Sequence, residues 1–444
     1  MIDFPIADLS DVLATETATA RLLDMSLEFM RIAYIACPTS LTLGSANAIQ
    51  TYTTLRELRR RAPDTLALVP RWLREPSRFG EVGARHLPRP AVGKLSRLYR
   101  STLWYYAERA IFAAMTAAVV AWEWLRGRPV RAVYVREVVC AGWWAALWGP
   151  LLGLPVIYEA HDLESWNPSR AKELWAQPLL HLLDRAALTR STAVVSLTED
   201  FRRLLARLGW RRAEEVVVIP DAFDEQHVAP GDRAAARRAL GLDETAPLIV
   251  YSGMTFTYRG IDRLLDAFTH VRAALPRAYL ALVGGRPAEI AQLRAQASTL
   301  GLDGAIVWAG QLSHAAITPY LHAADVLVIP DTVTDVTASP LKLFEYLAAE
   351  RAVALPDIPA LAEVLSPAIG YYFRRGDVGA LAEALLAALA DPQRHERERD
   401  GRAAVAHHTY GARAADILTL AEAVARKYGS IAGGQDDKVT GDRR

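Results

Sequence analysis

A short segment in the second half of the chain combines residue types that bind phosphate groups. The run ASPLKLFEYL begins at residue 338, shortly after the apolar run DVLVIP. Ser339 can cap a helix that starts near Leu341, and Pro340 suits the first turn because it has no N–H group to lose. The free amides and the positive dipole end of such a helix form a cradle for a diphosphate.

Two charged side chains follow in the same helix. Lys342 lies in the first turn, where a cation opposes the helix dipole, so its presence indicates an anion outside the helix. Glu345, three residues later, could accept hydrogen bonds from a ribose diol. A plain surface Lys–Glu pair at helical spacing would explain the same pattern. The position at a strand-to-helix turn favours the ligand-binding interpretation.

A histidine follows an apolar run in the first half of the chain. In VIYEAHDLES, His161 comes directly after the run, and Glu159, Asp162 and Glu164 flank it. The carboxyl end of a strand in a doubly wound sheet is where ligands bind, and nearby carboxylates tune the protonation of a histidine. A structural role for this single histidine is the alternative.

The composition excludes several classes of protein. The chain has 444 residues, with 51 Lys and Arg against 50 Asp and Glu. This balance disfavours a nucleic-acid-binding protein, which usually carries a basic excess. Cys37 and Cys140 cannot by themselves form a disulfide framework or a zinc site, and we expect both to be small buried fillers. A reducing cytoplasm fits this cysteine content.

The sequence predicts neither a secretory signal nor a membrane span. Residues 1–29 lack a basic start followed by an apolar core, and we interpret them as a loosely attached, flexible extension. Residues 110–125 are short for a bilayer and contain Glu123, which predicts a buried or interfacial helix. Residues 71–130 are rich in Arg, Trp and Tyr. They suit a lipid headgroup or a membrane interface, or else the packing of long helices against a sheet.

Short apolar runs alternate with helical segments, which predicts an α/β fold with parallel, doubly wound sheets. The strand candidates are residues 31–36, 65–69, 132–136, 156–159, 193–197, 216–219, 248–252, 279–283, 306–308, 326–329 and 352–355. Because the series restarts at Leu248, we predict two Rossmann-like domains that face a cleft. We place the first of these domains at 30–228 and the second at 229–408. We expect a helix at 409–429 to pack back toward the first domain, before a disordered tail at 430–444.

Taken together, these segments resemble the retaining glycosyltransferases of family 4, which have the GT-B fold. ASPLKLFEYL resembles the nucleotide-sugar segment of that family, and VVVIPDAFD resembles its domain-crossing IPNGVD element. YSGMTFTYRGIDRLLDAF, LALVGGRP and HAADVLVIP resemble three further family motifs in the same order and spacing. The likeness covers nearly all of residues 30–425 and is densest in the second half.

The resemblance implies that the domain at 30–228 binds the acceptor and that the domain at 229–408 binds the nucleotide-sugar donor. The donor-binding residues would be Gly253, Arg259, Gly284, Gly285, Arg286, Ser339, Pro340, Leu341, Lys342 and Glu345. Gly253 would let the backbone approach the phosphates, and Arg259 would contact the diphosphate. From the residues alone, Gly284 and Gly285 could equally form an ordinary strand-to-helix turn, and Arg259 could be a solvated loop residue.

The resemblance also implies catalytic residues. His161 would lie near the reacting sugar, while Arg259 and Lys342 would neutralise the charge of the leaving group. Gly44 and Ser45 resemble part of a glycine loop that closes on donor and acceptor.

Two positions depart from the family pattern. Thr337 stands where relatives carry the first of two glutamates eight positions apart, so the contacts to the donor sugar must differ. Met254 stands where many relatives carry an arginine beside the phosphates.

The implied activity is transfer of a sugar from a nucleotide-diphosphate donor to a glycan, lipid-linked or small-molecule acceptor. The transfer would retain the anomeric configuration and use no metal or other cofactor. The implied setting is polysaccharide or glycolipid assembly in the cytoplasm, with peripheral contact at the inner face of the membrane. Two alternatives stay open: a GT-B nucleotide-sugar epimerase, and a non-catalytic nucleotide-sugar-binding protein. A dinucleotide oxidoreductase is disfavoured because no G-x-G-x-x-G follows the first strand of either half.

Overall fold

The computed structural model describes residues 30–89, 102–166, 175, 177–256, 259–330 and 341–440. Its contacts divide the chain into two compact units. The first unit holds the described residues up to Pro220 and again from Gly411, and the second holds those between Asp221 and Tyr410. Residues 1–29, the expected flexible extension, lie outside the described part of the chain.

In the first unit, seven of the described strands form one parallel sheet in the order β3-β2-β1-β4-β5-β6-β7. These strands are β1 (Ile32–Ile35), β2 (Leu66–Arg71), β3 (Arg85–Pro88), β4 (Ala132–Val135), β5 (Val156–Ala160), β6 (Ala193–Ser196) and β7 (Val216–Val218). The helices described in this unit are α1 (Ala46–Arg61), α2 (Thr102–Leu125), α3 (Val138–Trp143), a π-helix (Trp144–Trp148), α4 (Gly149–Leu152), α5 (Gln177–Arg190) and α6 (Glu199–Arg207), with 3-10 turns at Glu164–Trp166 and Ala213–Glu215.

In the second unit, six of the described strands form a parallel sheet in the order β10-β9-β8-β11-β12-β13. These are β8 (Leu248–Ser252), β9 (Tyr279–Val283), β10 (Ile306–Gly310), β11 (Val326–Val328), β12 (Ala352–Pro356) and β13 (Tyr371–Phe373). The helices described here are α7 (Arg233–Ala239), α8 (Ile261–Ala274), α9 (Pro287–Thr299), α10 (His314–Ala323), α11 (Leu341–Ala348), α12 (Pro359–Ala362), α13 (Val378–Ala390) and α14 (Arg394–Ala404). The last helix, α15 (Tyr410–Thr440), begins where this unit ends.

The two parallel sheets confirm the predicted fold class. Central strands such as β4 and β12 are buried at every position, because helices cover both faces of each sheet. Strands β3 and β13 were not predicted; they lie at sheet edges and are only four and three residues long. β3, with the sequence RHLP, has one buried residue and no apolar run, whereas β13, with the sequence YYF, is apolar but shorter than the runs that indicate a strand.

The boundary between the units differs from the predicted position near residue 228. Phe223 and Val228 are buried in a core cluster of the second unit, and the Phe223 amide donates to the His408 carbonyl at 3.0 Å. Residues 221–228 are therefore part of the second unit rather than the end of the first.

Helix α15 packs within the first unit. Ile417, Leu418 and Leu420 are buried in the same core cluster as residues of β1 and β4. The backbone stays helical to Thr440, whereas the sequence predicted a disordered tail from residue 430.

Candidate functional site

Two glycine turns at the carboxyl ends of β8 and β9 lie directly against each other. The Gly253 amide donates to the Val283 carbonyl at 2.8 Å, and the Gly284 amide donates to the Gly310 carbonyl at 2.7 Å. Gly253, Gly284 and Gly285 have φ values of 140°, 114° and 87°. A Cβ atom on Gly284 would overlap the carbonyl group of Gly253. Only glycine fits this close approach of two backbones.

Lys342 reaches the turn that follows β8. Its Nζ donates to the Tyr251 hydroxyl at 3.0 Å and lies 4.3 Å from the centre of the Tyr251 ring. A Cβ atom on Gly253 would lie 2.7 Å from Cε of Lys342. The structure therefore brings Gly253 and Lys342 together at the carboxyl edge of the second sheet, where open α/β sheets bind ligands. The Tyr251 hydroxyl in turn donates to the carbonyl of Met254.

Glu345 lies in the same helix as Lys342 and pairs with a histidine that sequence reasoning missed. His314 Nε2 is 2.8 Å from Glu345 Oε1, and the two side chains are only 16% and 12% exposed. Burial alone would lower the pKa of His314, but the hydrogen bond and charge of Glu345 outweigh it and raise that pKa. The ion pair fixes one carboxylate oxygen of Glu345. No spacing signal in the sequence connects these two residues.

A second histidine extends this pair. The rings of His227 and His314 are 5.3 Å apart, and His227 Nδ1 is 2.8 Å from Asp224 Oδ2. Asp224, His227 and His314 thus form a chain of contacts that ends at Glu345, the predicted ribose-binding residue. It holds Glu345 in one orientation before any ligand arrives.

For three further predicted donor residues, the structure gives local positions. Arg286 is the N-cap residue that precedes α9; its Nε is 2.8 Å from Glu289 Oε1, and its guanidinium lies 4.9 Å from the centre of the Phe256 ring. The Arg259 amide donates to the Phe256 carbonyl at 2.8 Å, and its side chain is half-buried. Leu341 is the first residue of α11, as the sequence indicated. Ser339, Pro340 and Thr337 lie outside the described residues.

His161 belongs to a buried polar network at the carboxyl edge of the first sheet. Its Nε2 is 2.9 Å from Glu159 Oε1 and 3.1 Å from Nη2 of Arg136. Burial lowers the pKa of His161, so the imidazole is neutral at neutral pH. Nε2 is occupied by these two neighbours, which leaves Nδ1 as the ring nitrogen that can meet a ligand. The side chain keeps 24% exposure.

Arg136 and Glu159 hold the centre of that network. Arg136 Nε is 2.9 Å from Glu159 Oε1, and the Arg136 guanidinium also donates to Thr51 Oγ1 and Gln50 Oε1, each at 2.6 Å. Arg413 of helix α15 pairs with Glu159 Oε2 at 2.7 Å. Sequence reasoning missed these partners of His161. The sequence feature that could have indicated Arg136 is its position directly after the buried strand β4.

The predicted glycine loop is held by its own side chains. Ser45 caps α1, since its hydroxyl accepts from the Ala48 amide at 3.2 Å and lies 2.6 Å from Thr39 Oγ1. The Gly44 amide donates to Ser40 Oγ at 3.1 Å. These bonds order the turn between β1 and α1 without any ligand.

Two family models match the chain. One, described as glycosyl transferases group 1, matches residues 232–404, and the other, described as a glycosyl transferase 4-like domain, matches residues 48–222. These two stretches fall within the second and the first unit, apart from the few residues around Asp221.

Curated relatives are similar over part of their length. A D-inositol 3-phosphate glycosyltransferase of Segniliparus rotundus is 30% identical over 185 residues, which is 40% of this chain and 41% of the relative. A 2-deoxystreptamine N-acetyl-D-glucosaminyltransferase of Streptomyces fradiae is 28% identical over 263 residues, or 57% of this chain and 62% of the relative. The chain thus matches between two fifths and two thirds of the length of these two proteins.

Solved structures resemble almost the whole chain. Sucrose-phosphate synthase from Thermosynechococcus elongatus has a TM-score of 0.67 at 20% identity, covering 92% of this chain and all of that structure. HepE of Anabaena, solved in complex with UDP, has a TM-score of 0.67 at 16% identity over 90% of this chain and all of that structure. At these identities the likeness establishes the fold.

Proposed function

Because the chain belongs to the family 4 glycosyltransferases of the GT-B fold, we propose that it transfers a sugar from a nucleotide-diphosphate donor. The acceptor would be a glycan, a lipid-linked molecule or a small molecule. The transfer would keep the configuration of the anomeric carbon and need no metal or other cofactor. The reaction would take place in the cytoplasm, within polysaccharide or glycolipid assembly.

The observation that supports this proposal most strongly is the close approach of Gly253 to Lys342, which lies in the first turn of α11. The glycine presents bare backbone, and the ammonium group supplies the positive charge that a diphosphate needs. Glu345, held by His314, would accept hydrogen bonds from the ribose hydroxyls. These groups come from different elements of one unit, so a nucleotide donor would be bound mainly by the second unit.

The proposed reaction is a substitution at the anomeric carbon of the donor sugar. The bond between the anomeric carbon and the β-phosphate oxygen breaks, and the acceptor oxygen bonds to that carbon on the same face. The acceptor proton passes to the departing phosphate oxygen. Lys342 and Arg259 would neutralise the charge that develops on the leaving group. The neutral His161 would hydrogen-bond a sugar hydroxyl through Nδ1.

A ligand screen of the full-length protein tests this proposal. We expect at least one of UDP, GDP, ADP or their sugars to raise the melting temperature, because a ligand of the folded state stabilises it by mass action. Release of the nucleotide should then require an acceptor, and NMR of the product should show the anomeric configuration of the donor. Conversion of the sugar without acceptor would indicate an epimerase, and binding without release would indicate a non-catalytic protein. No shift at saturating ligand would contradict the proposal.

Peripheral membrane contact is a further part of the proposal. Exposed large apolar side chains concentrate in the first unit, and Trp124 and Leu125 at the end of α2 are 66% and 67% exposed. Beside them, the Arg126 guanidinium stacks on Trp122 at 4.8 Å. Tryptophan with arginine suits the boundary between lipid headgroups and acyl chains. Among the described residues, no helix has the length and apolar character to cross a bilayer.

Vesicle binding tests this surface. We expect the protein to sediment with vesicles that contain anionic lipid, and the double variant Trp124→Ser, Leu125→Ser to bind roughly tenfold or more weakly, because two large apolar side chains are lost. Leu73→Ser is the matched control, since Leu73 is 91% exposed but lies outside α2. Equal binding by the double variant and the wild type, or no binding to any vesicle, would exclude this surface.

A further inference from the structure

Two cysteines and a glutamate lie together at the carboxyl edge of the first sheet. The parallel pairing of β1 with β4 sets Ile35 beside Val135, so Cys37 and Glu137 each stand two residues beyond a paired position. Cys140 follows in the first turn of α3. The two Sγ atoms and a Glu137 carboxylate oxygen all lie within 4.8 Å of one another. Side chains that are far apart in the sequence thus form one cluster.

Glu137 presents one carboxylate oxygen to this cluster. Its Oε2 accepts from the Cys140 amide at 2.8 Å and so caps α3. Its Oε1 is buried and makes no hydrogen bond to any described residue. The hydrogen bond to Oε2 fixes the orientation of the carboxylate and therefore the direction of Oε1. Hydrogen bonds to the non-coordinating atom of a ligand orient metal ligands in the same manner.

A buried arginine stands beside the cluster. Arg109 is 7% exposed, and its Nε and Nη1 have no hydrogen-bond partner among the described residues. The Cys140 thiol donates to the carbonyl oxygen of Arg109 at 3.6 Å, which places this residue against the cluster. The Arg109 guanidinium lies 5.0 Å from the centre of the Tyr105 ring, and its Nη1 lies 3.6 Å from Glu108 Oε1. Burial of a cation with unsatisfied N–H groups is costly. Thiolates formed on metal binding would place negative charge close to this buried cation.

We propose that Cys37, Glu137 and Cys140 bind one zinc ion as a structural site of the first unit. Zinc accepts cysteine sulfur and carboxylate oxygen together, and water can complete a tetrahedral set. Binding releases one proton from each thiol, so three anionic ligands surround a divalent ion. The net negative charge that results is balanced by Arg109. This ion takes no part in the proposed sugar transfer, so the two proposals are independent.

A disulfide between Cys37 and Cys140 is the competing use of the same thiols. It would add no negative charge for Arg109 and no partner for Glu137 Oε1. A bound cation accounts for both features, which is why we favour it. The ion would link the segment that follows β1 to the start of α3. The segment after β1 continues into the loop that contains Gly44.

Metal analysis of the full-length protein tests the site. After expression with zinc and purification under reducing conditions, we expect about one zinc per chain, because three protein ligands and water complete one tetrahedral site. The chelated protein, titrated with Co²⁺, should show thiolate-to-cobalt charge-transfer absorbance. Cys140→Ser should abolish that absorbance. Glu137→Gln can still cap α3 through its amide oxygen, and it should weaken metal affinity by roughly tenfold or more.

A second capping residue provides the control. Thr198 caps α6 of the same unit through a hydrogen bond from the Phe201 amide at 3.1 Å. Thr198→Ala should lower the melting temperature by roughly 2–4 °C and keep the metal. If Thr198→Ala loses the metal as Glu137→Gln does, the loss reflects stability and the site is excluded. Free thiols without metal, or a Cys37–Cys140 disulfide that binds no cobalt after reduction, would also overturn the proposal.

Discussion

Replacing Glu159 by glutamine is expected to destabilise the first unit by about 3–5 kcal/mol, because two buried arginines lose their counter-ion. Glu159 is fully buried, and its carboxylate pairs with Arg136 at 2.9 Å and with Arg413 at 2.7 Å. The Tyr134 hydroxyl also donates to it. Glutamine keeps the shape of the side chain but removes the charge. For a unit of this size, the melting temperature should fall by roughly 6–20 °C.

The pH dependence separates this effect from a loss of packing. Burial alone would raise the pKa of Glu159, but Arg136 and Arg413 hold it well below its ordinary value. The stabilisation is then fully present above the unfolded-state pKa of about 4.3 and is lost as the pH falls through the folded-state pKa. The difference between wild type and variant should stay constant from about pH 6 to 8 and shrink only in acid.

An exposed ion pair in the same unit provides the control for this prediction. Arg78 and Glu81 are 2.9 Å apart, and both side chains are 53% exposed. Glu81→Gln should change the free energy of unfolding far less than Glu159→Gln does, because solvent screens the exposed pair. Denaturant unfolding of both variants measures the contrast. If Glu159→Gln cost no more than Glu81→Gln, the buried network would not stabilise the unit.

The sequence predicted the sheets because parallel strands covered on both faces are continuous apolar runs. Runs such as AVYV in β4 and LIVYS in β8 are buried throughout. The edge strand β3, with the sequence RHLP, has no such run, and only its pairing with β2 makes it a strand. The pairing with β2, and not the local sequence, therefore determines that these residues form a strand.

The sequence also indicated which turns would face a ligand, but not what surrounds them. Gly253 and Lys342 could be singled out because each stands at a recognisable strand or helix end. Their meeting depends on the order of strands in the second sheet, in which β8 lies beside β11. That order follows from how helices cover the sheet rather than from any local pattern.

Partners that come from distant segments could not be predicted. His161 was visible after β5, but Arg136 and Arg413 reach Glu159 only through the pairing of β4 with β5 and the return of α15. The cluster of Cys37 with Glu137 likewise depends on the register between β1 and β4. Without that register, the two cysteines could only be predicted to be isolated buried fillers.

Replacing Lys342 by methionine is expected to lower turnover with the identified donor by about 10²–10³-fold. This is the usual cost of removing one group that stabilises charge on a leaving group. Methionine fills most of the volume of the lysine stem against Tyr251 but cannot donate to the Tyr251 hydroxyl, which Lys342 contacts at 3.0 Å. The unit should stay folded, since this contact is partly exposed. Donor affinity should also fall, because the cation meets the diphosphate in the ground state too.

Arg374→Met is the matched control for the loss of one positive charge in the second unit. Arg374 is 77% exposed and pairs with Asp377 three residues later, at the start of α13. Its replacement should leave turnover unchanged, so a similar loss in both variants would point to long-range electrostatics rather than to contact with the donor. If Lys342→Met kept the turnover and donor affinity of the wild type at an unchanged melting temperature, Lys342 would lie outside the donor site. The positive charge at the diphosphate would then have to come from Arg259, and Arg259→Met should show the loss instead.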